Sequence, residues 1–172
     1  MTDWQKIVGR HSGTVWQTAY RLLGDRVEAA DCFQDTFLAA LELSRRQKVR
    51  NFSALLNRLC TFRAIDRLRK RMSRAGHENT SVDLSKVASG NPGPVQQAQA
   101  AELAGRLRRG LAELPEKQAE VFCLRCVEQM SYSEIARQLG IKRSTVGVML
   151  HRARSRLREL LSPQGSPLSG EV

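Results

Sequence analysis

Apolar side chains recur at helical spacing along most of this chain, and the pattern fails over only two long stretches. Over residues 7–23, Val15, Ala19, Leu22 and Leu23 mark one face, and Gly24-Asp25 stops the helix. Residues 27–43 repeat the pattern with Ala30, Phe33, Phe37, Leu38 and Leu41. Opposite that stripe, Asp31, Gln34, Asp35 and Glu42 give an acidic and amide face. A third helix is predicted over about 52–72, with Leu55, Leu56, Leu59 and Phe62 inward. Periodicity then lapses in residues 76–100, a Gly-, Ser-, Asn- and Pro-rich stretch that reads as a flexible linker. It resumes at about Gln97, with Leu103, Leu107, Leu111 and Leu114 inward. Pro115 sits where a helix can start without losing a hydrogen bond. The helix after it is expected to bury Ala119, Phe122, Cys123, Cys126 and Val127, and Ser131 and Ser133 are candidate caps for the next. The tail after Leu161 reads as disordered, and no internal repeat is present.

The pattern predicts an all-α fold of two small helical domains, residues 1–75 and 101–162, with a linker at 76–100 and a tail at 163–172. Composition agrees: helix formers dominate, and a hydrophobic content of 41% with 5% aromatics suits small helical units better than a sandwich.

Charge adds the first functional hint. The net charge is +11, which favours a polyanionic partner. Between Arg58 and Arg74 there are seven cations against one acid, and between Lys142 and Arg158 six against none. On the third helix Arg63, Arg67, Lys70 and Arg74 fall at i, i+4, i+7 and i+11, a continuous cationic stripe. No apolar run approaches the ~18 residues of a membrane span, and the first residues carry no leader pattern. The expectation is a cytoplasmic chain without membrane insertion, its four cysteines held as thiols.

Residues 132–150 meet the packing needs of a helix-turn-helix. Ala136 is small at the closest approach, Gly140 supplies a left-handed turn, and Ile135, Leu139, Ile141, Val146 and Leu150 make the shared core. The second helix then turns Lys142, Arg143, Ser144, Thr145, Val148, His151 and Arg152 outward, with Arg154 beyond. In such motifs this helix enters the major groove while flanking cations take phosphates.

Other chemistry is thin. Cys123-Leu-Arg-Cys126 lacks the second ligand pair of a structural zinc site, and both sulfurs lie on the apolar stripe, so core packing is the better reading. There is no nucleophile–base pair, carboxylate pair or phosphate loop, so neither enzymatic activity nor a cofactor or metal is expected.

With these motifs in place the chain resembles a bacterial RNA polymerase sigma factor of the extracytoplasmic-function group of the sigma-70 family. "AADCFQDTFLAAL" (29–41) is similar to that family's polymerase-clamp helix, and "FSALLNRLCTFRAIDRLRKR" (52–71) to its minus-ten helix. "LAELPEKQAEVFCLR", "SYSEIARQLGI" and "STVGVMLHRARSRLREL" are similar to sigma region 4. The resemblance implies a region 2 bundle and a region 4 helix-turn-helix that direct promoter-specific initiation. It implies that Asp31, Gln34, Asp35 and Leu38 dock on the polymerase clamp, and that the polymerase flap is a further contact. Arg50, Asn51 and Phe52 would hold an unstacked base of the minus-ten element, with Arg63, Arg67 and Lys70 following the backbone. Lys142, Arg143, Ser144, Thr145, Val148, His151, Arg152 and Arg154 would read minus-thirty-five duplex. Promoter DNA and core polymerase are thus the implied partners, and the family admits an anti-sigma factor as another. The chain departs from the family at Leu55, where Trp is usual, at Phe62, where Asn is usual, and at Gly147-Val148, where a basic or polar pair is common. Two other readings stay open at this stage: a free-standing helix-turn-helix regulator, and a polymerase-binding adaptor without promoter melting.

Overall fold

The computed structural model describes residues 3–75 and 93–162, and among these every regular element is a helix. Residues 76–92 of the expected linker and the whole of the expected tail lie outside the described residues. The chain order is α1 (Trp4–Leu23), α2 (Arg26–Arg46), α3 (Phe52–Ala75), α4 (Pro94–Glu113), α5 (Glu116–Cys126), α6 (Tyr132–Leu139) and α7 (Arg143–Leu161).

Short polar residues set the starts of these helices. Asp3, Asp25 and Asn51 each accept a hydrogen bond from the backbone N–H three residues on, at Lys6, Glu28 and Ala54, and so satisfy an N–H with no partner inside its helix. Gly24 ends α1 in the left-handed region at φ 69°. Pro115 immediately precedes α5 instead of occupying its first turn, and α4 begins at Pro94, earlier than periodicity suggested.

Helices α1, α2 and α3 form a bundle around Val15, Ala19, Leu23, Ala29, Cys32, Leu56, Cys60, Ile65 and Leu68. Each large apolar side chain removed from water there contributes about 1.5–3 kcal/mol. The same cluster continues without a break into the C-terminal half through Leu111, Leu114, Ala119, Cys123, Ala153 and Leu157. A second, smaller cluster of Val121, Leu124, Ile135, Val146 and Leu150 locks α5, α6 and α7 together. The halves therefore pack on one another as well as being joined through the chain.

Three expected core positions are corrected. Phe62 is 43% exposed, because the buried ladder of α3 runs through Leu56, Cys60, Ala64 and Leu68 and leaves Phe62 on another face. Leu103 is 57% exposed, since the first turns of α4, Val95 included, lie beyond the neighbouring helices. Cys123 is buried as expected, but Cys126, the last residue of α5, is exposed.

Candidate nucleic-acid interface

The helix-turn-helix begins with a reciprocal cap. Ser131 Oγ accepts from the Glu134 N–H at 3.2 Å, and the Ser131 N–H donates to Glu134 Oε2 at 2.7 Å. These bonds hold the Glu134 carboxyl below the usual range, the backbone bond of Ser131 being the largest cause. Gly140 turns the chain at φ 64°, a conformation that suits glycine, and α7 leaves it across α6. With Val146 and Leu150 buried, Lys142, Arg143, Ser144, Val148, His151, Arg152 and Arg154 are all exposed, and Thr145 is half-buried. Among the described residues Lys142, Arg143, Arg152 and Arg154 have no carboxylate partner, whereas Arg156 is paired with Glu159 at 3.1 Å. The face therefore combines free cations with a small polar and apolar centre, the chemistry that phosphates and base edges accept.

The cationic stripe of α3 is less free than its spacing suggests. Arg67 donates to Asp35 on α2 at 2.6 Å, and Lys70 pairs with Asp66 one turn away at 2.8 Å. Burial works against the charge of Arg67, but the hydrogen bond and field of Asp35 outweigh it and raise the guanidinium pKa. Arg63 is half-buried, with Nε unpartnered among the described residues. Asp35, expected on the clamp face, thus joins that face to the stripe, while Asp31, Gln34 and Leu38 point outward.

Two hollows involve α1, which the sequence reading left out of the site. Arg50, Asn51, Phe52 and Ser53 form one side of a cavity of about 490 Å³, and Lys6, Ile7, Arg10 and His11 form the other. Phe52 rests edge-on against Trp4, with ring centroids 5.5 Å apart. A second, carbon-lined hollow of about 440 Å³ runs between α1 and α2 along Trp4, Val8, Phe33, Phe37, Leu38 and Leu41. Lys6 and Arg10, and Trp4 and Val8, are i, i+4 pairs, a spacing that marks two ridges on α1. That signal was present in the sequence, but nothing in it says which loop the ridges face.

Among the described residues no group of three or more His, Cys, Asp or Glu side chains is placed to hold a metal. Cys32, Cys60 and Cys123 are buried free thiols, and burial pushes Cys123 well above the ordinary thiol range. Among the described residues no helix is long and apolar enough to cross a membrane.

Comparison with known proteins agrees with this arrangement. Residues 7–74 match the family model Sigma-70 region 2, and residues 104–157 match Sigma-70, region 4. The chain is 31% identical over 166 residues to the ECF RNA polymerase sigma factor SigE of Mycolicibacterium smegmatis, covering 96% of this chain and 64% of that one. It is 31% identical over 163 residues to the ECF RNA polymerase sigma factor SigW of Bacillus subtilis, covering 90% of this chain and 87% of that one. Among solved structures, the sigma factor RpoE in complex with the anti-sigma factor NepR from Bartonella quintana matches with a TM-score of 0.58 at 21% identity, over 96% of this chain and all of that one. CnrH in complex with the cytosolic domain of CnrY matches with a TM-score of 0.57 at 26% identity, over 94% of this chain and 88% of that one.

Proposed function

The chain belongs to the ECF RNA polymerase sigma factors of the sigma-70 family, and on that premise we propose that it binds core RNA polymerase and directs promoter-specific transcription initiation. The observation that carries this reading is the order of the two matched regions: region 2 spans α1 to α3 and region 4 spans α4 to α7, with the outer face of α7 free for duplex DNA. A regulator acting through the helix-turn-helix alone would leave the whole of region 2 without a task.

In this reading Asp31, Gln34 and Leu38, beside the apolar hollow of α1 and α2, dock on the polymerase clamp. The cavity between α1 and residues 50–53, at the start of α3, takes an unstacked base of the minus-ten strand, Lys6, Arg10 and Arg50 neutralising the phosphates around it. Arg63, Arg67 and Lys70 follow the same strand, with Asp35 and Asp66 yielding their partners to phosphate. Lys142, Arg143, Ser144, Thr145, Val148, His151, Arg152 and Arg154 read minus-thirty-five duplex. The protein is a binding subunit, not a catalyst, and works in the cytoplasm where polymerase and promoter are. An anti-sigma factor is a further proposed partner; the likeness to CnrH, solved in complex with the cytosolic domain of CnrY, supports a protein partner of some kind.

Run-off transcription from a random-promoter library, with the purified chain and core polymerase, tests the reading. Starts that share an upstream sequence and vanish without the chain are expected. Polymerase binding without such starts would favour the adaptor, and no polymerase binding would return the free-standing regulator.

A further inference from the structure

Among the described residues of α5, α6 and α7, Val148 is the one large apolar side chain left exposed, at 48%. Its place on α7 follows from the helical repeat. Val146 and Leu150, both buried, stand two residues to either side, and a step of two turns the helix by roughly 200°. Val148 therefore lies on the crest of α7, opposite the face that packs on α5 and α6. The side chain is also stiff, because a β-branched residue keeps essentially one χ1 rotamer in a helix. Two methyl groups are thus held outward at the part of α7 that stands furthest from the core.

A single exposed valine is ordinary on a protein surface. The neighbours of this one give it a partner. Ser144 and Thr145 precede it by four and three residues, and His151 and Arg152 follow it by three and four, so they ring it on the outer surface of the helix. All four carry hydrogen-bonding groups. Arg143, Arg152 and Arg154 have no carboxylate partner among the described residues, and no side chain caps the first turn of α7. Phosphates on either side are therefore met by open cations and open N–H groups, with the valine between them. In the major groove thymine alone presents a methyl group, on its C5 atom. Guanine and adenine present N7 with O6 or an amino group, and cytosine its amino group; against these a valine buries a polar atom and gives it no hydrogen bond.

We propose that Val148 reads the C5 methyl group of one thymine in the duplex bound by α7, so that this base pair is selected by apolar contact. The proposal rests on the reading of α7 as a groove helix and names the base that its crest selects. Gly147-Val148 is where the chain departs from its family, so the preference is this chain's own. Deoxyuridine in place of thymidine removes the methyl group and keeps the pairing and the other groove atoms. Duplexes of random sequence are selected by the full chain, alone and with core polymerase, and each thymine of the enriched sequence is then replaced by deoxyuridine in turn, on either strand. One replacement is expected to weaken binding about fourfold, the value of one buried methyl group. Val148→Ala, a change that favours the helix, should bind the thymine and uracil forms of that duplex equally. Arg154→Ala should weaken both forms alike and keep the fourfold ratio. The ratio within each protein cancels any general loss of binding, as in a double-mutant cycle. An enriched sequence in which no uracil weakens binding overturns the assignment to Val148 and leaves α7 as the reading helix. Uracil effects that all persist in Val148→Ala do the same, since another side chain then holds the methyl group. If neither selection enriches any sequence, α7 reads no base, and the groove reading falls together with the proposal.

Discussion

Gly147 sits inside α7, the proposed recognition helix, where glycine is the least favourable residue short of proline. A Cβ built there meets only Tyr132 Cε2, at 3.7 Å, an ordinary contact. Gly147→Ala should therefore raise stability by up to about 1 kcal/mol, read as a higher melting temperature, without changing affinity for duplex DNA. Five and seven residues on, Arg152 and Arg154 supply charge to the proposed groove face. Arg152→Ala and Arg154→Ala should each reduce the slope of log affinity against log salt by about 0.9 per lost phosphate contact. Arg156→Ala should change it less, since Glu159 already holds that side chain. Equal slopes for all three variants would remove Arg152 and Arg154 from the phosphate surface.

At the scale of one element, α6 shows how a short helix persists. It has only eight residues, too few to be stable alone, and relies on the cap at Ser131 and the burial of Ile135. Ser131→Ala should cost about 1 kcal/mol in denaturant unfolding. The lowered pKa of Glu134 gives this element a pH dependence. Its contribution is full above the ordinary glutamate range and is lost as pH falls through the depressed folded value, so Ser131→Ala should also weaken that acid sensitivity. The helix-turn-helix was legible because its special positions are local: a cap, a small residue, a left-handed glycine and the next apolar run. Phe62, Leu103 and Cys126 were misplaced for the complementary reason. Periodicity says which residues share a face, while burial depends on which neighbour covers it.

Across the whole molecule, the half-buried Glu128 is one of the acids that link the halves, beside the fully buried Glu120. Burial pushes the Glu128 carboxyl up, against the opposing hydrogen bond from Thr18 and the field of Arg21. A raised folded pKa means that its contribution is complete below the ordinary value of 4.5 and is lost as pH rises through the folded value. The folded unit should accordingly lose melting temperature over that rise, and Glu128→Gln should flatten the curve. An unchanged curve in that variant would assign the pH dependence to other groups. The contact between the halves also explains the partners found by Arg58 and Arg69, which the sequence could only count towards a basic tract, and by Arg108, which entered only the net charge.

The sequence by itself determined the order of the helices, the stop at Gly24, the cap at Ser131, the helix-turn-helix and the outward cations of α7, because each follows from spacing and residue type within a few turns of one chain. The α1 wall of the 50–53 cavity, the Arg67–Asp35 pair and the junction of the two halves were decided only by tertiary structure. These pair residues from roughly thirty to ninety positions apart. Such partners meet through the packing of whole helices, and no local periodicity encodes which face will meet which.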